Sequence, residues 1–242
     1  MKAAATRHVY SNKSMQWAIT GVIYLAFFFF FIWYHNVRGS PFTLFTTEKC
    51  TAIASVYCLA LALALGPLSR FCLRLDNLLP YRRTLGLMAA FMTIPHVILV
   101  FIYLPLKFPK IYSADYPLSW FVAHWFTLLM GFLTLVLFLV IALYSSPGGF
   151  RRLGECKWMI LQKLAYLVMI LIVLHLLSMG KIPKNWIAWI ETRDKPFPPG
   201  SFPTMVACVG ALLLKAADLI VHGDSLARKQ NEPDTGAAGQ HS

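Results

Sequence analysis

The sequence predicts an all-α, polytopic membrane protein, a bundle of six transmembrane helices, and three observations carry that expectation. The 242 residues are 58% hydrophobic, 14% aromatic and only 13% charged, which is more apolar side chain than a soluble globule of this size can bury. Six apolar runs occupy residues 17–34, 52–68, 85–106, 118–144, 158–179 and 202–221, each near the roughly 20 residues that a bilayer requires. Short charged loops separate the runs and leave no room for a second domain. Backbone amides cannot stay unpaired in hydrocarbon, so runs of this length are helices. The expected organisation is a cytoplasmic N-terminal segment (1–16), a six-helix domain (17–222) and a disordered cytoplasmic tail (223–242).

The first run is read as a helix and not as a removable signal peptide, because a polar segment precedes it and no small-residue cleavage site follows. It ends in Phe27 to Phe31, Trp33, Tyr34 and His35, an interfacial aromatic anchor and not a ligand cluster. The second run, CLALALALGPL, is rich in small residues and is expected to stop at Gly66 and Pro67. Pro80 stands just ahead of the third run, a favoured first-turn position. Between the fourth and fifth runs lies SSPGGFRRLGECKW, a Gly and Pro turn whose paired arginines suit lipid phosphate or an acidic soluble partner. In the segment 180–201, Trp186, Ile187, Trp189 and Ile190 suggest a short helix in the interface plane, for anchoring or for docking a periplasmic partner. The remaining tail is polar and has no apolar period.

Orientation follows from Lys and Arg. With the N-terminus inside, 13 of the 22 basic residues fall in inner segments and 8 in outer ones, with Lys163 inside a span. Both termini are therefore expected in the cytoplasm. The net charge of +12 belongs to these loops and to anionic lipid, not to a continuous nucleic-acid stripe. Cys50, Cys58, Cys72, Cys156 and Cys208 form no CxxC or CxxCH, so neither a redox dithiol nor covalent haem attachment is encoded, and those within the runs read as small buried side chains.

Ionisable side chains inside apolar runs are costly, so they point to function. His96, His124 and His175 lie in outer halves, while Gln162, Lys163, Lys215 and Asp218 lie near inner ends. No carboxylate falls mid-run, which argues against a carboxylate proton relay or an ordinary cation transporter. Imidazole remains, as an iron ligand or as a hydrogen-bonded interhelical residue. Counted from Pro105 and Gly180, His96 and His175 differ in depth by about 6 Å at 1.5 Å per residue, which tilt can absorb. Two histidines at similar depth suit bis-imidazole ligation of a haem. Gly86, Ala89 and Thr93 share the helical face of His96, leaving room either for a flat macrocycle or for close helix packing. Depth alone also admits His124 as a ligand.

The stretches RRTLGLMAAFMTIPH (82–96) and SSPGGFRRLGECKWMILQKLAYLVMILIVLH (145–175) resemble the ferric-reductase-like transmembrane haem proteins. The nearest likeness is to the haem-b membrane subunits that serve periplasmic methionine-sulfoxide reductases. That resemblance implies that His96 and His175 hold a b-type haem as axial iron ligands. The family's inner histidine, ahead of KLAY, is replaced here by Gln162, a poor ligand, which puts a second, inner haem in question. At 100° per residue Gln162 is also turned about 140° from His175, and an interhelical hydrogen bond is the simpler role for it. Nothing in the spacing of His8 or His222 argues for an inner site.

The resemblance further implies an electron-transfer subunit of an oxidoreductase system. Its electrons would come from a cytosolic flavin reductase or the quinone pool, with FMN or quinone as an additional cofactor, and would pass to a periplasmic oxidoreductase. No Gly-rich dinucleotide fingerprint follows a strand, so no flavin or nicotinamide domain is encoded in this chain. The competing class is a non-redox membrane binding, transport or scaffold protein that keeps the fold without a complete electron path. On this reading the first, second and sixth runs are mainly scaffold, and the third and fifth carry the chemistry.

Overall fold

A computed structural model describes residues 13–107, 118–145, 147–179 and 182–231, with backbone alone for 103–107, 118–123, 147–150, 155–156, 159 and 223–231. The helices are α1 (Lys13–Val37), α2 (Leu44–Phe71), α3 (Tyr81–Lys107), α4 (Leu118–Tyr144), α5 (Pro147–Ser178), α6 (Lys184–Thr192) and α7 (Ser201–Asn231), with a 3-10 turn at Leu73–Leu78. Among the described residues there is no strand. Six helices, α1 to α5 and α7, are long and apolar enough to cross a membrane. The protein is a multi-pass membrane protein. Large apolar side chains such as Val22, Phe29, Leu213 and Ile220 are exposed on its flanks, the arrangement expected where lipid is the solvent.

The bundle is built around α2. Over its most apolar window α2 is 56% buried, against 17–22% for the other five, and α1, α3, α5 and α7 all pack on it. Composition explains this position. Ala54, Cys58, Ala62 and Leu63 of α2 meet Leu85 and Ala89 of α3, Val168 and Met169 of α5, and Cys208 and Ala211 of α7; small side chains let backbones approach closely. Ala89 is fully buried in this contact, so packing is the role of that small residue. Cys58 and Cys208 are buried as expected, and Cys50, ahead of the expected second run, is buried too. The side chain of Cys156 lies outside the described residues. Thr20 of α1 and Thr84 of α3 share a buried hydroxyl bond of 2.9 Å.

Several boundaries differ from the sequence reading, among them those of α2, α5 and α7. α2 begins at Leu44, because Thr43 caps it, its Oγ1 accepting from the Thr46 backbone N–H at 3.2 Å. It also continues past Gly66 and Pro67 to Phe71, since a proline in the last turns removes only one hydrogen bond. Residues 147–153 are helical, and the turn is concentrated at Gly154, whose φ of 72° and ψ of 167° break α5. α7 runs to Asn231, so residues 223–231 of the expected tail continue the helix. Residues 1–12 and 232–242 lie outside the described residues.

The upper end of the bundle, which carries the 38–43 loop and α6, is closed by the segment 195–200. Trp189 Nε1 donates to the Lys195 carbonyl at 2.9 Å and Trp186 Nε1 to Ser201 Oγ at 3.0 Å. Arg38 donates to the Phe197 carbonyl at 2.9 Å, Tyr34 donates to the Pro198 carbonyl, and Phe197 stacks on Tyr34. The short helix expected from its tryptophans is α6, with Ile187 and Ile190 exposed together.

Candidate functional site

The helices of the bundle pair as hairpins. α2 packs on α3 and α4 on α5, whereas α3 and α5 do not pack together along their length. A cavity of about 350 Å³ remains between them at the upper end, within the roughly 300–1,000 Å³ typical of cofactor and small-molecule pockets. His96 of α3 and His175 of α5 both line it.

Each histidine is fixed by the helix on which its own helix packs. His96 Nδ1 lies 3.0 Å from Glu48 Oε1 and 3.3 Å from the Glu48 carbonyl. His175 Nδ1 lies 3.0 Å from the Thr127 carbonyl. In both cases the acceptor stands 48 residues before the histidine. An acceptor at Nδ1 places the proton there and leaves the Nε2 lone pair for the cavity, the usual state of a ligating imidazole. Gly131 of α4 makes room for the second ring. A Cβ at that position would lie 3.2 Å from His175 Cε1.

The walls of the cavity match in pairs. Glu48, Ala52, Ser55 and His96 from the first hairpin correspond to Thr127, Gly131, Thr134 and His175 from the second, each pair separated by 79 residues. Except for Thr127, all of these line the cavity. The hydroxyls behave alike as well: Ser55 donates to the carbonyl four residues back, and so does Thr134. Two hairpins thus present one imidazole each to a shared space, held in the same way.

The other sequence candidates fall elsewhere. His124, near the start of α4, is half-buried and does not line the cavity. Gln162 is also outside it, and its Nε2 donates to Ser145 Oγ at 3.2 Å, linking α5 to the end of α4. This is the interhelical hydrogen bond expected for it. Of the small residues on the face of His96, Thr93 lines the cavity and Ala89 packs on α2. Asp218, 1% exposed, accepts from Arg70 at 3.0 Å and from Lys215 at 2.8 Å, with His222 Nδ1 at 3.4 Å. That cluster ties α7 to the lower end of α2.

Three contributors escaped the sequence reading. Glu48 lies ahead of the expected second run, yet it is buried in α2; Thr43, an N-cap residue type, was the available signal. Gly131 carries no signal apart from its interval to Ala52. His35, counted with the aromatic anchors, lines the same cavity.

The donor set fits a macrocycle held from two sides. Among the described residues no three His, Cys, Asp or Glu side chains gather into a cage for a bare metal ion. What the cavity offers is two imidazoles, one from each hairpin and each held at Nδ1, beside small side chains. Residues 51–173, half of the chain, match the family described as Ferric reductase like transmembrane component. No curated protein matches the chain.

Proposed function

The chain belongs to the ferric-reductase-like transmembrane family, a generally haem-binding family, and from that premise we propose that it is a membrane electron-transfer subunit that holds one haem b between His96 and His175. The observation that carries the reading is the pair of equivalent imidazoles, each held at Nδ1 and each facing the cavity between hairpins.

Haem b supplies a one-electron iron centre when bound. The residues determine what that centre can do. Were His96 and His175 both to hold the iron, no position on it would stay open to oxygen, which would favour electron transfer. The carboxylate of Glu48 against His96 Nδ1 would make that imidazole more electron-rich and so favour the oxidised state of a bound iron. Thr127 offers His175 only a neutral carbonyl. The two ligands are therefore electronically unequal although geometrically alike. Glu48, Gly131 and Thr127 orient the rings.

The orientation rests on the charge distribution and the direction of transfer on the resemblance, with electrons entering from a cytosolic flavin reductase or the quinone pool and leaving at the outer face to a periplasmic oxidoreductase. The kinship with subunits that serve methionine-sulfoxide reductases, and a bacterial inner-membrane location, belong to the same proposal. Gln162, bonded to Ser145, gives no second inner haem, so a quinol or flavin at the membrane is the fitting donor.

An absorption spectrum of the purified protein tests this reading. The expected result is a reduced haem-b band in the wild type that is lost in His96→Ala and in His175→Ala and kept in His124→Ala, with a stoichiometry of one haem per chain. A colourless, correctly folded wild type overturns it in favour of a non-redox binding, transport or scaffold protein.

A further inference from the structure

We propose that His35, Arg38 and Lys49 form a recognition site for a carboxylate at the upper mouth of this cavity; the proposal rests on the haem reading. His35 is 9% exposed, and its Nε2 is buried with no hydrogen-bond partner. A buried imidazole nitrogen without a partner is costly. The cost is offset when Nε2 carries the ring proton and donates it to a ligand oxygen, and the residue lines the cavity where such a ligand would sit.

The ring is held in place for that contact. Gly200 clears its space, a Cβ there lying 3.2 Å from both His35 Cε1 and Nε2. The loop carrying Gly200 is fastened to α1 by the bonds of Tyr34 to Pro198 and of Arg38 to Phe197. The charge around the ring selects an anion. Arg38 and Lys49 line the same cavity, and the single carboxylate among its lining residues, Glu48, is engaged by His96. A guanidinium has five N–H donors, of which the Phe197 carbonyl takes one. Below this polar mouth the wall is Ala52, Ile53 and Val56, so the ligand has an apolar body and an acidic end.

Two sources of that carboxylate share the chemistry: the propionate groups of the haem itself, or a separate small carboxylic acid. Titration of the full chain in detergent with iron protoporphyrin IX and with its dimethyl ester, read by Soret absorbance, decides. If the haem supplies the group, the wild type prefers the free acid by roughly tenfold or more, the strength expected of charge-assisted hydrogen bonds. His35→Leu loses that preference while still binding the ester, which also shows that it folds, and His35→Gln keeps most of it. Should His35→Leu fail to fold, Arg38→Gln and Lys49→Gln, nearer the surface, carry the same comparison. If the carboxylate is a separate molecule, acid and ester bind alike, and benzoate shifts the Soret band of the wild type but not of His35→Leu. Equal affinities with no benzoate response overturn this proposal alone. Binding of neither porphyrin to folded wild type overturns the haem reading and this proposal together.

Discussion

At the residue scale, the site depends on what holds the imidazoles as much as on the imidazoles themselves. Removal of a group that orients a metal-ligating histidine typically lowers affinity by about 10–100-fold. Glu48→Ala is therefore expected to weaken haem binding by that order, measured by titration of the apoprotein. Glu48→Gln keeps a hydrogen bond and removes the charge, so it should retain most affinity and raise the midpoint potential in a spectroelectrochemical titration. An unchanged potential in Glu48→Gln would separate Glu48 from the iron centre. Gly131 poses the matching question for His175. A side chain there meets the ring at 3.2 Å, and overpacking of this kind costs about 1–3 kcal/mol. Gly131→Val should displace the ring and appear as an altered low-spin haem spectrum, whereas Gly86→Ala, where an added Cβ touches nothing within 4 Å, should leave it unchanged.

At the element scale, α2 both organises the bundle and delivers chemistry. It was expected to act as scaffold, and its alanine-rich middle does so. Its first turns, added by the Thr43 cap, carry Glu48 to His96, and its last turns carry Arg70 to Asp218. The helix therefore links the site at the upper end with the α7 clasp at the lower end. Asp218→Asn should destabilise the protein by about 1–3 kcal/mol through loss of charged hydrogen bonds, seen as earlier unfolding in detergent, with the haem spectrum intact. The Thr20–Thr84 bond between α1 and α3 should contribute less. Interhelical hydrogen bonds in membranes average about 0.6 kcal/mol, and a double-mutant cycle with valine at both positions measures that coupling.

At the scale of the whole molecule, two hairpins related by a constant interval enclose one cavity, and a fifth and a sixth spanning helix complete the wall. The same interval applied at the lower end pairs Gln162 with Arg83, neither of them an iron ligand, so the paired imidazoles belong to the upper half alone. Orientation is a prediction of the basic residues: a fluorescent-protein fusion at the C-terminus should glow and an alkaline-phosphatase fusion should be inactive. The reverse pattern would invert the direction proposed for electron flow.

The sequence by itself determined the six crossings and the helical class and singled out His96, His124 and His175 as candidates, because lipid imposes length and apolarity on each span separately and makes any polar residue within it conspicuous. It also marked Gln162 as a hydrogen-bonded residue. Only the tertiary structure decided that His96 and His175 share a cavity while His124 does not, and that Glu48, Gly131 and His35 belong beside them. The reason is physical. Hydropathy and spacing report how each helix meets the bilayer, whereas facing, cap position and the room left by a missing Cβ arise only when helices pack against one another.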